Sequence, residues 1–432
     1  MSCFFIYILS CSRHIFIIFV VCKITQEMRN IVKVMTLVIV SVFCLTGCQN
    51  CKKQDTRAKY IFYFIGDGMG NSHVALTESY ISYKAGKDAG ERLSFTQFPH
   101  LALAETYPHG GHITCSSASG TALACGIKTT NNSLGVDPEG NEGTSVAVEL
   151  HNEGYKIGIM SSVPVNHATP AAFYAHNEYR GNYYEISQDM IDDGFEFFGG
   201  AGLYDVKGKK GDLPSTIDFL EENGYAVCYG TTTFNNRVAD AEHIVYLQPS
   251  SEESGPEYYV REGDKDGDIT LDKMLGLCLD FLGDEEPFMI MCEGGKIDWS
   301  AHENKTMSMV QDILELNETV KKALEFYYAH PDETLIVVTA DHETGGAAIG
   351  EGRYWRSDFI NWEVLEKSWA ECGNKNNLSW EDNAALNVEA NVGWTTGNHT
   401  GAPVPVYAIG KGADKFVGRI NNIDIKGKIL GK

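Results

Sequence analysis

Short, nearly continuous apolar runs recur along the chain between helical stretches and glycine-rich turns: Tyr60 to Ile65, Lys156 to Met160, Phe288 to Cys292, Thr334 to Thr339 and Val404 to Ile409. An apolar run without alternation suits a strand buried on both faces. Such strands alternating with helices predict an α/β fold, a three-layer α/β/α sandwich around a largely parallel central sheet. Helices are expected over Thr144 to Asn152, Leu271 to Leu282 and Met307 to Ala329. The last stops at His330-Pro331, because the residue before a proline is pushed out of the helical region. Residues 205–270 and 351–395 are polar, charged and weakly periodic, and read as surface insertions on one domain spanning 59–432.

The first fifty residues follow a different pattern, with apolar runs at Phe4 to Leu9, Ile15 to Cys22 and Val34 to Cys44 and almost no acids. Each falls short of the roughly 20 apolar residues that a membrane-spanning helix needs. The third has the layout of a secretory signal: Met28 opens a short basic region with Arg29 and Lys33, an apolar stretch follows, and Leu45-Thr46-Gly47 ends in Cys48. That layout resembles a bacterial lipoprotein signal. It implies a true start at Met28, an export region over 1–47, a lipidated Cys48, a linker over 48–58, and an exported lipoprotein of the periplasm or cell envelope held to a membrane by its lipid. An uncleaved N-terminal anchor is the alternative.

Composition narrows the function. The 432 residues are 43% hydrophobic and 22% charged, which excludes a disordered chain, a collagen-like fibre and a polytopic membrane protein. A formal net charge of −23 opposes docking on nucleic acid or on anionic membranes. Removing residues 1–47 leaves 31 basic against 57 acidic residues, a net of −26. Seven cysteines follow Cys48, scattered without C-x-x-C spacing among themselves, so neither a disulfide framework nor a zinc ribbon is expected. Asp264-Lys265-Asp266-Gly267-Asp268 resembles the start of a calcium loop, but Ile269 and Leu275 stand where that loop needs Gly and a bidentate Glu. It reads as a solvated turn before a helix.

Candidate chemistry lies where the apolar runs end. The first runs into Gly66-Asp67-Gly68-Met69-Gly70, an acid held by glycines on a tight turn; a dinucleotide loop is excluded because its third glycine is missing. Phe288 to Cys292 ends in Glu293, with Asp298 and His302 shortly after; Thr334 to Thr339 ends in Ala340-Asp341-His342; Asn398-His399 immediately precedes the last run. One acid or histidine at a strand end is ordinarily a cap or a surface group. Four such ends carrying Asp, Glu and His favour a multinuclear metal site. Ser116 opens a run of small residues, Ser116-Ser117-Ala118-Ser119-Gly120-Thr121, ended by Gly126. At a helix N-terminus it would face an anion-favouring dipole; the bland reading is a tightly packed helix capped by serine.

Taken in order from Lys59 to the last strand, these motifs resemble the alkaline phosphatase family. The resemblance implies metal-dependent hydrolysis of small phosphate monoesters through a phosphoserine on Ser116, with Arg180 as the phosphate clamp. It implies two Zn2+ and one Mg2+: Asp298, His302 and His399 for the first zinc, Asp341, His342 and Asp67 for the second, and Asp67, Thr169 and Glu293 for magnesium. A homodimer is compatible with it. Three positions depart from the family pattern. Cys115 stands where an Asp commonly orients the arginine, so a freer Arg180 is expected; Ser117 replaces Ala; His167 and Trp299 occupy variable positions behind the magnesium site. A sulfatase would need Pro and Arg after its nucleophile, and Ser117-Ala118-Ser119-Gly120 has neither. A diesterase relative commonly has neither the magnesium ligands nor the clamp, while a binding-only lipoprotein would be expected to have lost a ligand or the nucleophile.

Overall fold

The computed structural model describes residues 57–254, 267–350, 359–372 and 378–432, together with the backbone of 3–11 and 14–22. In the segment before Arg57, Cys3–Cys11 and His14–Cys22 form an antiparallel pair with Cys3 opposite Cys22. The third apolar run and Cys48 lie outside the described residues.

From Arg57 onward the chain builds a ten-stranded sheet. In chain order the strands are β1 (Tyr60–Gly66), β2 (His100–Glu105), β3 (Lys156–Ser161), β4 (Phe197–Gly200), β5 (Tyr225–Tyr229), β6 (His243–Leu247), β7 (Phe288–Gly294), β8 (Thr334–Thr339), β9 (Val404–Gly410) and β10 (Gly418–Asn421). Their order across the sheet is β10-β2-β9-β8-β1-β7-β3-β4-β6-β5. Only β9 runs against its neighbours; every other pairing is parallel. All seven residues of β1 are buried, as an unbroken apolar strand at the middle of a covered sheet should be.

The helices that matter for the site are α1 (Asn71–Lys84), α2 (Ser116–Cys125), α3 (Leu271–Leu282), α4 (Lys296–His302) and α5 (Thr306–Ala329). Successive strand residues face opposite sides. Phe62 meets Phe326 of α5 edge-on at 5.5 Å, whereas Tyr63 meets Phe173, after the short helix Ala168–Ala171, at 5.9 Å. Helices therefore cover both faces of β1, and the α/β architecture expected from the pattern is the one observed.

Several readings need correction. The polar segment 205–270 is not wholly a surface insertion: it carries β5 and β6, whose Ala226, Val227, Ile244 and Val245 are buried in the sheet. Val404–Gly410 is not the last strand, since β10 follows it and pairs with β2. Within 351–395, the described part forms helices Trp362–Glu371 and Trp380–Glu389 and a strand, Val392–Trp394, paired with Ala347–Ile349. Residues 264–266 of the acidic turn lie outside the described residues, while Asp268 is buried and accepts a 3.0 Å hydrogen bond from the Ser250 amide. The six cysteines from Cys115 to Cys372 are free, and among the described residues no helix is long and apolar enough to cross a membrane.

Candidate active site

Strands β8, β1, β7 and β3 are consecutive and parallel, so their carboxyl ends lie side by side, where open α/β sheets place their ligands. Asp67 follows β1, Glu293 lies near the end of β7, Asp341 follows β8, and α4, just after β7, brings Asp298 and His302 back over the same edge. The turn after β1 demands glycine. Gly68 has φ +72°, and a Cβ there would stand 2.8 Å from Thr344 Oγ1 and 3.0 Å from the Asp298 Cα; at Gly70 it would meet the Glu343 Cγ at 2.1 Å. The Gly68 amide in turn donates to Asp341 Oδ1 at 3.0 Å.

Three imidazoles converge here, and their outer nitrogens are already engaged. His302 Nδ1 lies 2.7 Å from the Gly397 carbonyl and His399 Nδ1 2.7 Å from that of Thr114. A nitrogen facing a carbonyl carries the proton, so each ring when neutral turns a lone-pair Nε2 inward, the two atoms 3.1 Å apart; burial alone would lower His302, but its hydrogen bond to Asp298 and that acid's charge raise it to about 8. His342 Nδ1 lies 3.2 Å from Thr344 Oγ1, whose hydroxyl donates to Asp298, leaving His342 Nε2 likewise free. That Nε2 sits 3.2 Å from Asp341 Oδ2, 3.5 Å from Asp67 Oδ1 and 3.3 Å from Ser116 Oγ. Thr344 and the two carbonyls were not singled out in the sequence: Thr344 is signalled only by its place two residues after His342, and backbone carbonyls leave no signal.

Ligand-type atoms of Asp298, His302 and His399 lie within 4.8 Å of one another, as do those of Asp67, Asp298 and His342, and those of Asp67, His167 and Glu293. Thr169 Oγ1 is 3.4 Å from Asp67 Oδ2, and Ser161, also not singled out in the sequence, donates to Glu293 Oε2. His167 therefore belongs among the carboxylates of the third cluster rather than behind it, with Trp299 edge-on to its ring at 5.8 Å.

Electrostatics makes this arrangement costly unless cations fill it. Burial, reinforced by the charges of Asp341, Asp298 and Glu293, holds Asp67 well above the usual carboxylate range. Burial likewise pushes Glu293 and Asp341 up to about 7. Burial would raise Asp298 too, but the His302 hydrogen bond and the charges of His342, His302 and His399 hold it well below its ordinary value. Asp67 Oδ1, Glu293 Oε1 and Asp341 Oδ2 are buried with no hydrogen-bond partner. Unpartnered carboxylate oxygens beside converging imidazole lone pairs fit divalent cations: nitrogen and oxygen donors suit zinc, and carboxylate with hydroxyl suits magnesium.

Ser116 is the first residue of α2, is buried, and follows Cys115 at the cap position. The Cys115 sulfur lies 3.2 Å from Ser117 Oγ and accepts from the Asn132 amide at 3.2 Å. Burial would raise its pKa, but these hydrogen bonds, that of the Ala118 amide and the nearby Arg180 charge bring it below the ordinary thiol value. The sequence leads to the expectation of a freer Arg180, and the structure gives that side chain a partner other than the thiol. The Arg180 backbone amide donates to the Asn132 carbonyl at 2.7 Å, and its guanidinium reaches His167 Nε2 at 3.0 Å. Through that contact with His167, Arg180 stands beside the third cluster, and its charge favours the ionised form of Asp67.

Comparison with known proteins gives one answer. The family model described as alkaline phosphatase matches residues 58–198 and 252–430, and the interval it leaves out contains β5 and β6. Alkaline phosphatase 4 of Bacillus subtilis is 31% identical over 427 residues, covering 87% of this chain and 89% of the relative. Alkaline phosphatase 3 of the same organism is 29% identical over 422 residues, covering 87% and 88%. The solved alkaline phosphatase of the Antarctic bacterium TAB5 superposes with a TM-score of 0.68 at 28% identity, covering 87% of this chain and 98% of that one. The cold-active enzyme of a psychrophilic Shewanella gives 0.72 at 25% identity, covering 86% and 99%.

Proposed function

The chain belongs to the alkaline phosphatase family and is a phosphomonoester hydrolase, and on that premise we propose that it works through a phosphoserine on Ser116 in a site built for two Zn2+ and one Mg2+. The observation that carries the proposal is the position of Ser116 Oγ, 3.3 Å from His342 Nε2, beside buried carboxylate oxygens that have no partner. Asp298, His302 and His399 would hold one zinc ion, Asp67, Asp341 and His342 the other, and Asp67, Thr169 and Glu293 the magnesium ion. When bound, these cations neutralise the phosphate dianion and favour the deprotonated form of the attacking oxygens.

The protein's own groups account for the rest. Ser116 Oγ attacks phosphorus as the bond to the leaving alcohol oxygen breaks, and the alcohol departs with a proton. The transferred group then stands at the N-terminus of α2, where the helix dipole favours an anion. Arg180 presents a planar fork of donors to two phosphate oxygens. In the second half, a water oxygen bonds to phosphorus, the Ser116 Oγ–P bond breaks, inorganic phosphate leaves and the hydroxyl is restored. Ahead of this catalytic domain, we place the lipid of an exported lipoprotein on Cys48.

Hydrolysis of a chromogenic phosphomonoester, measured beside its diester and sulfate analogues with and without a chelator, tests the proposal. Monoester turnover that dominates and disappears with the chelator supports it. Chelator-resistant turnover, or preference for diester or sulfate, overturns it.

A further inference from the structure

Ser116 and Ser119 lie three residues apart, on one face of α2, and each meets one of the two residues that follow β8. Ser116 Oγ stands 3.3 Å from His342 Nε2, while Ser119 Oγ donates to the Asp341 carbonyl at 2.6 Å. The direction of that second, shorter contact is imposed from another part of the chain. Asn422, fully buried just after β10, donates from Nδ2 to Ser119 Oγ at 2.9 Å. Its Oδ1 accepts from Lys128 Nζ at 2.6 Å, and an ammonium has only donors, so the amide is held with its nitrogen toward Ser119. The Ser119 oxygen therefore accepts from Asn422, and its one proton goes to Asp341. Both outer members are themselves anchored. Lys128 also donates to the Tyr107 carbonyl at 2.6 Å and stands 4.1 Å from the centre of the Tyr107 ring, and the Asn422 backbone amide donates to the Glu105 carbonyl at 3.0 Å.

We propose that Asn422 is a positioning residue for the nucleophile: through Ser119 it fastens α2 to the strand end that carries Asp341 and His342, and so fixes where Ser116 Oγ stands. Only a group that accepts at one end and donates at the other can pass the direction set by Lys128 on to Ser119. A carboxylate at 422 would accept at both ends, and Ser119 would turn its proton away from Asp341. The proposal rests on Ser116 being the nucleophile.

Rapid-quench measurement of phosphoserine formation on metal-loaded protein decides it, with a chromogenic phosphomonoester as substrate, calorimetry with inorganic phosphate as the readout of ligand affinity, and elemental analysis as a check on bound metal. Asn422→Asp is nearly isosteric and keeps an acceptor for Lys128, yet it should slow phosphorylation of Ser116 about tenfold, the scale of a lost buried hydrogen bond and a misplaced attacking atom. Ser119→Ala, a small truncation, should slow it by a similar factor, and Asn422→Asp added to Ser119→Ala should slow it no further. Bound metal and phosphate affinity should stay as in the native protein, since neither side chain is among the ligand-type groups. A native phosphorylation rate in either single variant, additive slowing in the double variant, or slowing that comes only with loss of metal would overturn the positioning role. If the native protein itself traps no phosphate on Ser116, it is the nucleophile reading that fails, a result seen before any variant is compared.

Discussion

Ser116 and the metal-type ligands around it are separate groups, and that separation can be tested one residue at a time. The hydroxyl is needed for covalent attack, while Asp67, Asp341 and His342 are complete without it. Ser116→Ala should therefore lose nearly all turnover yet keep bound metal and product phosphate, measured by elemental analysis and phosphate titration. Near-normal turnover in that variant would remove Ser116 from the reaction. Cys115 offers a second test. Its sulfur is near enough to Arg180 to feel the charge, but the guanidinium is held by His167. Cys115→Asp should thus tighten phosphate only modestly in the native background and more in His167→Ala, where the new carboxylate restores an anchor. Phosphate inhibition constants in the two backgrounds compare the effects, and equal changes would mean that position 115 and His167 act on Arg180 independently.

At the scale of elements, the site is only as well placed as the strands beneath it. Phe62 on β1 packs edge-on against Phe288 at 5.4 Å and Phe326 at 5.5 Å, so it ties β7 and α5 to the strand that delivers Asp67. Phe62→Ala should cost about 3–5 kcal/mol of stability, read from the denaturant midpoint at unchanged slope; a loss below about 1 kcal/mol would show that this aromatic cluster is not what secures the strand. The strands that carry the site were legible because each is a continuous apolar run, and the helices Leu271–Leu282 and Thr306–Ala329 agree with their periodicity to within a residue. The missed strands have physical reasons. β2 alternates exposed Leu101 and Leu103 with buried Ala102 and Ala104, β10 is an edge strand with no fully buried residue, and β5 and β6 are embedded in charged loops that dilute the signal. The candidate ligands were legible by type and by position at strand ends. The Thr344 relay, the carbonyls behind His302 and His399, and the Arg180–His167 pair were not, because each depends on chain segments brought together only by folding.

For the whole molecule, a net charge of −23 repels a phosphate dianion at long range, so local positive charge must decide binding. Four buried carboxylates, Asp67, Glu293, Asp298 and Asp341, cannot supply it without cations. Chelation should abolish activity, zinc should restore most of it, and magnesium should add a smaller increment; full recovery with magnesium alone would contradict a zinc pair built on His302, His342 and His399. Acidification should release the metals as well, since protons compete for the same ligand atoms. If Cys48 carries lipid, intact mass of membrane-extracted protein should show a modified N-terminus at that residue, and an unmodified Cys48 would count against export as a lipoprotein. The central claim, that Ser116 carries the phosphoryl group, is tested most directly by quenching the working enzyme in acid and locating phosphate by peptide mass spectrometry. One phosphoryl group on Ser116 during monoester turnover, absent from Ser116→Ala, is the predicted result; phosphate on another residue, or turnover with none trapped on the protein, would contradict it.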